Sequence, residues 1–156
     1  MPGPGTSFLG GPVMTGTVMG SPPSSPGDMG LCRLAQRLTL TQAGLATVSA
    51  TILLPQGAVI TGITADTTVA WNSGTSDTLS VGTVAGGSQY IGGISTATAG
   101  RAAMTYTGAQ LAAMNNIGTN TAVVATVTPA GTAANAGTTI VTVDYIQTVQ
   151  LGLGIL

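Results

Sequence analysis

The sequence predicts an all-β fold: a single β-sandwich, jelly-roll-like domain over residues 31–150 with one short helix. An extended Pro/Gly-rich N-terminal arm over 1–30 precedes it and an apolar tail over 151–156 follows. Three observations carry this reading. Thr, Ala, Gly and Val dominate, and they favour strands and turns over helices. Several stretches alternate apolar and polar residues with period two, the signature of a half-buried strand. Glycine-rich turns separate these stretches, which suits a sandwich or barrel.

The organising stretch is Leu53 to Thr83. Pro55 and Gly57 make a corner, because proline fixes φ and glycine accepts the dihedrals of a bend. From Val59 the odd positions are Val59, Thr61, Ile63, Ala65, Thr67, Val69 and Trp71, and they form the expected core face of a strand. Asn72-Ser73-Gly74 reads as a turn. Leu79 and Val81 then open the returning strand of a long hairpin, with Ser80 and Gly82 facing away. Trp71, the only tryptophan, is expected to anchor the core with Ile63, Val69, Val143 and Tyr145.

The remaining elements follow in order. Residues 1–30 hold six of the eight prolines and eight glycines, too little side chain to fold alone. Their apolar residues Phe8, Leu9, Val13, Met14, Val18 and Met19 suit an arm that becomes ordered on a neighbouring surface. Leu31 to Leu40 reads as a strand with Leu34, Leu38 and Leu40 on one side; leucines at 31, 34 and 38 also fit a helix. Thr47 to Leu54 places Val48, Ala50, Ile52 and Leu54 on one face and enters the Pro55 corner. After Thr83 the chain loosens into glycines and a Thr/Ala run up to Arg101, packed down by Tyr90 and Ile91. Thr107 and Gln110 have capping-box spacing ahead of Ala109–Met114, a short helix that Gly118 would end. Thr121 to Thr128 is a strand closed by Pro129. Thr138 to Gln147 is another, with Val141, Val143 and Tyr145 on one face. In the tail, Leu151, Leu153 and Ile155 alternate with glycine and are expected to pack on a partner.

Charge narrows the function. Only Arg33, Arg37, Arg101, Asp28, Asp66, Asp77 and Asp144 are charged, against roughly 25% in an ordinary soluble protein. A net charge of −1 promotes association and suits a surface covered by copies of itself or by a partner. Three arginines give no footprint for nucleic acid, and no apolar run approaches the roughly 18 residues that span a bilayer. The start shows no basic segment before an apolar core, so synthesis and assembly in a cytoplasm are expected. Without histidine there is no Ser-His or Cys-His pair, and without lysine no Schiff base or phosphate loop. Cys32 is alone, which leaves no intrachain disulfide and no cysteine zinc site. Asn72, Ser73, Ser76 and Asp77 could ligate calcium, though Asx-type turn bonding explains them equally well. No enzyme, cofactor, metal or small-molecule substrate is therefore expected.

Three segments carry a family resemblance: Leu54-Pro55-Gln56-Gly57-Ala58, Thr68-Val69-Ala70-Trp71-Asn72 and Leu79-Ser80-Val81-Gly82-Thr83. With the closing run Thr139-Ile140-Val141-Thr142-Val143-Asp144-Tyr145, the chain resembles the head decoration (cement) or minor capsid proteins of tailed phages over Thr47 to Gln147. The resemblance implies a β-sandwich that trimerises on the major capsid protein, at the outer surface of the virion head. The arm is not part of the shared pattern. Two rivals stand beside this expectation: a tail, neck or head-fibre subunit on the same fold, and a carbohydrate-binding surface module.

Overall fold

A computed structural model of the chain describes residues 31–55, 57–115 and 122–148. Residues 33–147 form one compact unit. The arm and tail residues Phe8, Leu9, Val13, Met14, Val18, Met19, Leu151, Leu153 and Ile155 lie outside the described residues, as does Gly118.

The fold is all-β. The strands are β1 (Leu31–Thr41), β2 (Val48–Leu53), β3 (Val59–Val69), β4 (Ser76–Gly82), β5 (Ile91–Ser95), β6 (Gly100–Arg101), β7 (Ala122–Ala130) and β8 (Thr138–Thr148). One helix, α1 (Gly108–Met114), interrupts them. The strands form two four-stranded sheets, ordered β1-β8-β3-β6 and β2-β7-β4-β5. Both sheets feed one buried cluster: Leu40, Ile63, Val141 and Val143 from the first, Ile52, Leu79, Val81 and Val127 from the second.

Leu31–Thr41 is a strand, not a helix. Its apolar alternation places Leu38 and Leu40 in the core, and Leu34, nearer the strand's start, is partly exposed. The Pro55 corner carries the chain from one sheet to the other, with Gly57 at a φ of 74°. The expected hairpin of β3 with β4 does not form. The two strands belong to different sheets: β3 pairs with β8 and β6, β4 with β7 and β5. Asn72-Ser73-Gly74 is thus a second crossover.

Two irregularities in β3 correct the expected core face. Ile60 pairs with Tyr145 and Gly62 with Asp144, so Thr61 is an extra residue; Thr68 is a second, between Thr67 and Val69. An inserted residue reverses the alternation. Ile60 therefore points inward with Ala58, and Ile63, Ala65 and Thr67 do so after the first bulge. The second bulge turns Val69 outward, 46% exposed, so Val69 is not a core anchor.

Three smaller corrections follow. The glycine-rich stretch after Thr83 contains β5 and β6. Pro129 does not end its strand but lies within β7 opposite Asp77. This is possible because β2 pairs with β7 only up to Val127, so no neighbour needs the missing N–H. Helix α1 begins with a complete capping box, in which Thr107 and Gln110 each accept a bond from the other's backbone. It ends at Met114 with Asn115 as C-cap, ahead of the expected glycine.

Candidate functional site

Around Trp71 the crossover from β3 to β4 is built from buried polar groups. Trp71 is 1% exposed and lies just past the end of β3. Its Nε1–H donates to Thr139 Oγ1 at 2.9 Å, and Thr139 Oγ1 lies 3.1 Å from Thr67 Oγ1. Its backbone N–H donates to Thr96 O at 3.1 Å, while Thr96 N–H and Oγ1–H both donate to Asp77 O. This chain of bonds runs from β3 and β8 in one sheet to β4 in the other. Gly137 lies flat against the indole, where an added Cβ would come within 2.5 Å of the ring.

The loop oxygens proposed as calcium ligands are engaged in protein hydrogen bonds. Asn72 Oδ1 accepts from Asn135 N–H and Ala136 N–H, both at 3.0 Å. Ser73 Oγ donates to Ser76 O and accepts from Ala130 N–H. Asp77 Oδ2 accepts from Ser73 N–H at 3.0 Å, and Asp77 Oδ1 is buried without a partner among the described residues. One spare carboxylate oxygen is a poor match for a cation that takes six to eight oxygen ligands. These bonds are not local Asx turns either: Asn72 accepts from the distant Asn135–Ala136 backbone, and Asp77 from Ser73, four residues before it. No cluster of three metal-ligating side chains occurs among the described residues.

Charge is distributed unevenly over the two sheets. Among the described residues, Arg33, Arg37, Asp66, Arg101 and Asp144 all sit on the β1-β8-β3-β6 sheet, and the sole charged residue of the other sheet, Asp77, is buried. Arg101 and Asp66 face each other across β6 and β3 in a two-pronged pair, at 2.7 and 2.9 Å. The hydrogen bonds from Arg101 hold the Asp66 carboxyl below its ordinary pKa, and the nearby Arg37 charge adds to this.

The outer face of the β2-β7-β4-β5 sheet is neutral. It presents Ser49, Thr51 and Leu53 from β2, Thr78 and Ser80 from β4, and Thr128 from β7. The loop after β4 folds over its centre. Gly86 N–H donates to Thr126 Oγ1, which also bonds Ser49 Oγ, and Thr126 is wholly buried by this cover. Leu53 and Val84 remain 67% and 59% exposed.

The edges of the two sheets differ as well. Beyond the two residues of β6, the free edge of β3 is closed by Tyr106, whose hydroxyl donates to Ile63 O and accepts from Ile63 N–H, both at 3.0 Å. Edge strand β1 carries Arg33 and Arg37. Edge strand β5 is short, bulged and contains Gly92 and Gly93. Edge strand β2 has no charge, no proline and an unbroken register against β7.

Of the expected core anchors, Trp71, Ile63, Val143 and Tyr145 are buried and Val69 is not. The sequence reading missed Thr67, Thr96, Thr139 and Gly137 as partners of Trp71, which itself was signalled by being the sole tryptophan and by its place in the alternating run from Val59. The described aromatics offer no exposed stacking platform: Trp71, Tyr90 and Tyr145 are buried and half-buried Tyr106 has its hydroxyl engaged. No described helix is long and apolar enough to cross a membrane. No family model, curated protein or solved structure matches the chain.

Proposed function

We propose that the chain is a non-enzymatic structural protein of a tailed-phage virion, a decoration protein that binds the outer surface of the head as an oligomer, with a homotrimer as the expected state. The β-domain is a jelly-roll sandwich in this reading. Its strand order supports that: β1 lies beside β8, β2 beside β7, β3 beside β6 and β4 beside β5. These nested pairs alternate between the two sheets, as they do when one long hairpin is rolled up into a double Greek key.

The observation that carries the function is the neutral sheet. A face of Ser, Thr, Ala and Gly with exposed Leu53 and Val84 loses little on leaving water, because it carries no ion to desolvate. The charged sheet keeps the assembled protein hydrated. The neutral sheet therefore faces the major capsid protein and sister subunits, and many weak contacts act together through high effective concentration. Arm residues 1–30 and tail residues 151–156 add apolar contacts in the same proposal.

The test is to mix the full chain with heads that lack it, pellet them and count bound copies per major capsid protein. A decoration protein saturates at a fixed, high ratio. Saturation at a few copies per particle favours a tail, neck or fibre subunit, and a chain that stays in the supernatant at every concentration contradicts a virion role.

A further inference from the structure

We propose that the outer edge of β2 is a self-association site, at which a second copy of this chain pairs its own β2 antiparallel and extends the neutral sheet across a two-fold axis. This goes beyond the virion reading and does not depend on it. A strand edge presents unpaired N–H and C=O groups that template pairing with another chain, and folded proteins ordinarily guard against this. Three of the four edges here carry such a guard: the arginines of β1, the bulge and glycines of β5, and Tyr106 beyond β6. Six-residue β2 has no charge, proline or bulge; its one side-chain cover is at its last carbonyl, where Leu53 O accepts from Gln36 Nε2 at 3.4 Å, and no described strand lies beyond it.

The chemistry of β2 selects a second β2 as its occupant. Directly opposed residues of an antiparallel pair share a face, so only matching parities can meet. Centred on Ala50, Val48 meets Ile52 on the inner face and Ser49 meets Thr51 on the outer. Centred on Thr51, Ala50 meets Ile52 and Ser49 meets Leu53. Neither arrangement opposes like charges or leaves an ion unpaired. Both place apolar residues against one another on the inner face, where Val48 and Ala50 pack against the core and are half-buried. The contact is isologous, so one strand supplies both halves of the interface.

Charge at exposed Thr51 tests this on the full chain. Two copies of Thr51→Lys place like charges opposite or diagonally across the junction in either register, and so do two copies of Thr51→Glu. Each variant alone should self-associate at least about tenfold more weakly than the parent by analytical ultracentrifugation. An equimolar mixture should recover association, now between unlike copies, and each variant should melt close to the parent. Ser49→Lys, on the same face, serves as a second variant if Thr51→Lys folds poorly. A parent that is monomeric throughout, or variants that associate as the parent does, overturns the proposal. A trimer indifferent to both charges does so too, while leaving head binding to be judged separately.

Discussion

The two sheets share one core and manage their exteriors in opposite ways. The β1-β8-β3-β6 sheet carries every exposed charge among the described residues, and its edges are closed by Tyr106 and guarded by arginines. The β2-β7-β4-β5 sheet has a neutral outer face, a loop laid over its centre and one unguarded edge. The contrast shows that a chain with very few charges can gather them on one sheet and leave the outer face of the other neutral.

The largest expected effect comes from breaking what the sheets have in common. Trp71→Ala removes a buried aromatic and the donor to Thr139, and should cost about 3–5 kcal/mol, leaving little soluble folded protein. A variant that melts like the parent would show that the crossover does not hold the sheets together. Gly137→Ala drives a methyl group into the indole and should cost about 1–3 kcal/mol by chemical denaturation. An unchanged midpoint would mean that the loop shifts freely away from Trp71.

Two milder changes touch the charged sheet alone. Tyr106→Phe leaves Ile63 N–H and O without their partner and should cost about 1 kcal/mol. It also reopens the β3 edge, so light scattering on incubation should rise above the parent's. The smallest effect concerns Asp66. Its folded pKa is lowered, so its contribution is present above the ordinary carboxylate value of 3.8 and is lost as pH falls through the folded value. The pair is exposed, so Asp66→Asn should cost only a small amount of stability near neutrality, converge with the parent as pH falls through the folded value, and so flatten that acid limb. A large loss at pH 7 would contradict the exposed geometry.

Much of the fold was legible because it is local. Val141, Val143 and Tyr145 alternate without interruption, and Thr107 with Gln110 announces the helix start. The crossover at Asn72–Gly74 was not legible, since the same turn residues serve a chain that returns within its sheet and one that leaves it. The bulges at Thr61 and Thr68 were hidden for a related reason. Threonine suits either face of a strand, so a reversal inside a threonine-rich run leaves the pattern intact until Val69 proves exposed. Strand β5 was masked by its paired glycines. In the site, Trp71 stood out by being unique. Its partners Thr67, Thr96 and Thr139 did not, because threonines are everywhere in this sequence and only pairing across strands singles these out.

The most direct measurement is hydroxyl-radical footprinting of the full chain, free and bound to heads. Leu53 and Val84 report on the neutral sheet, Arg37 and Arg101 on the charged one. If the neutral sheet is the protein-facing side, labelling of Leu53 and Val84 falls on binding while Arg37 and Arg101 react as in the free chain. Protection of the two arginines with Leu53 and Val84 unchanged would contradict the assignment.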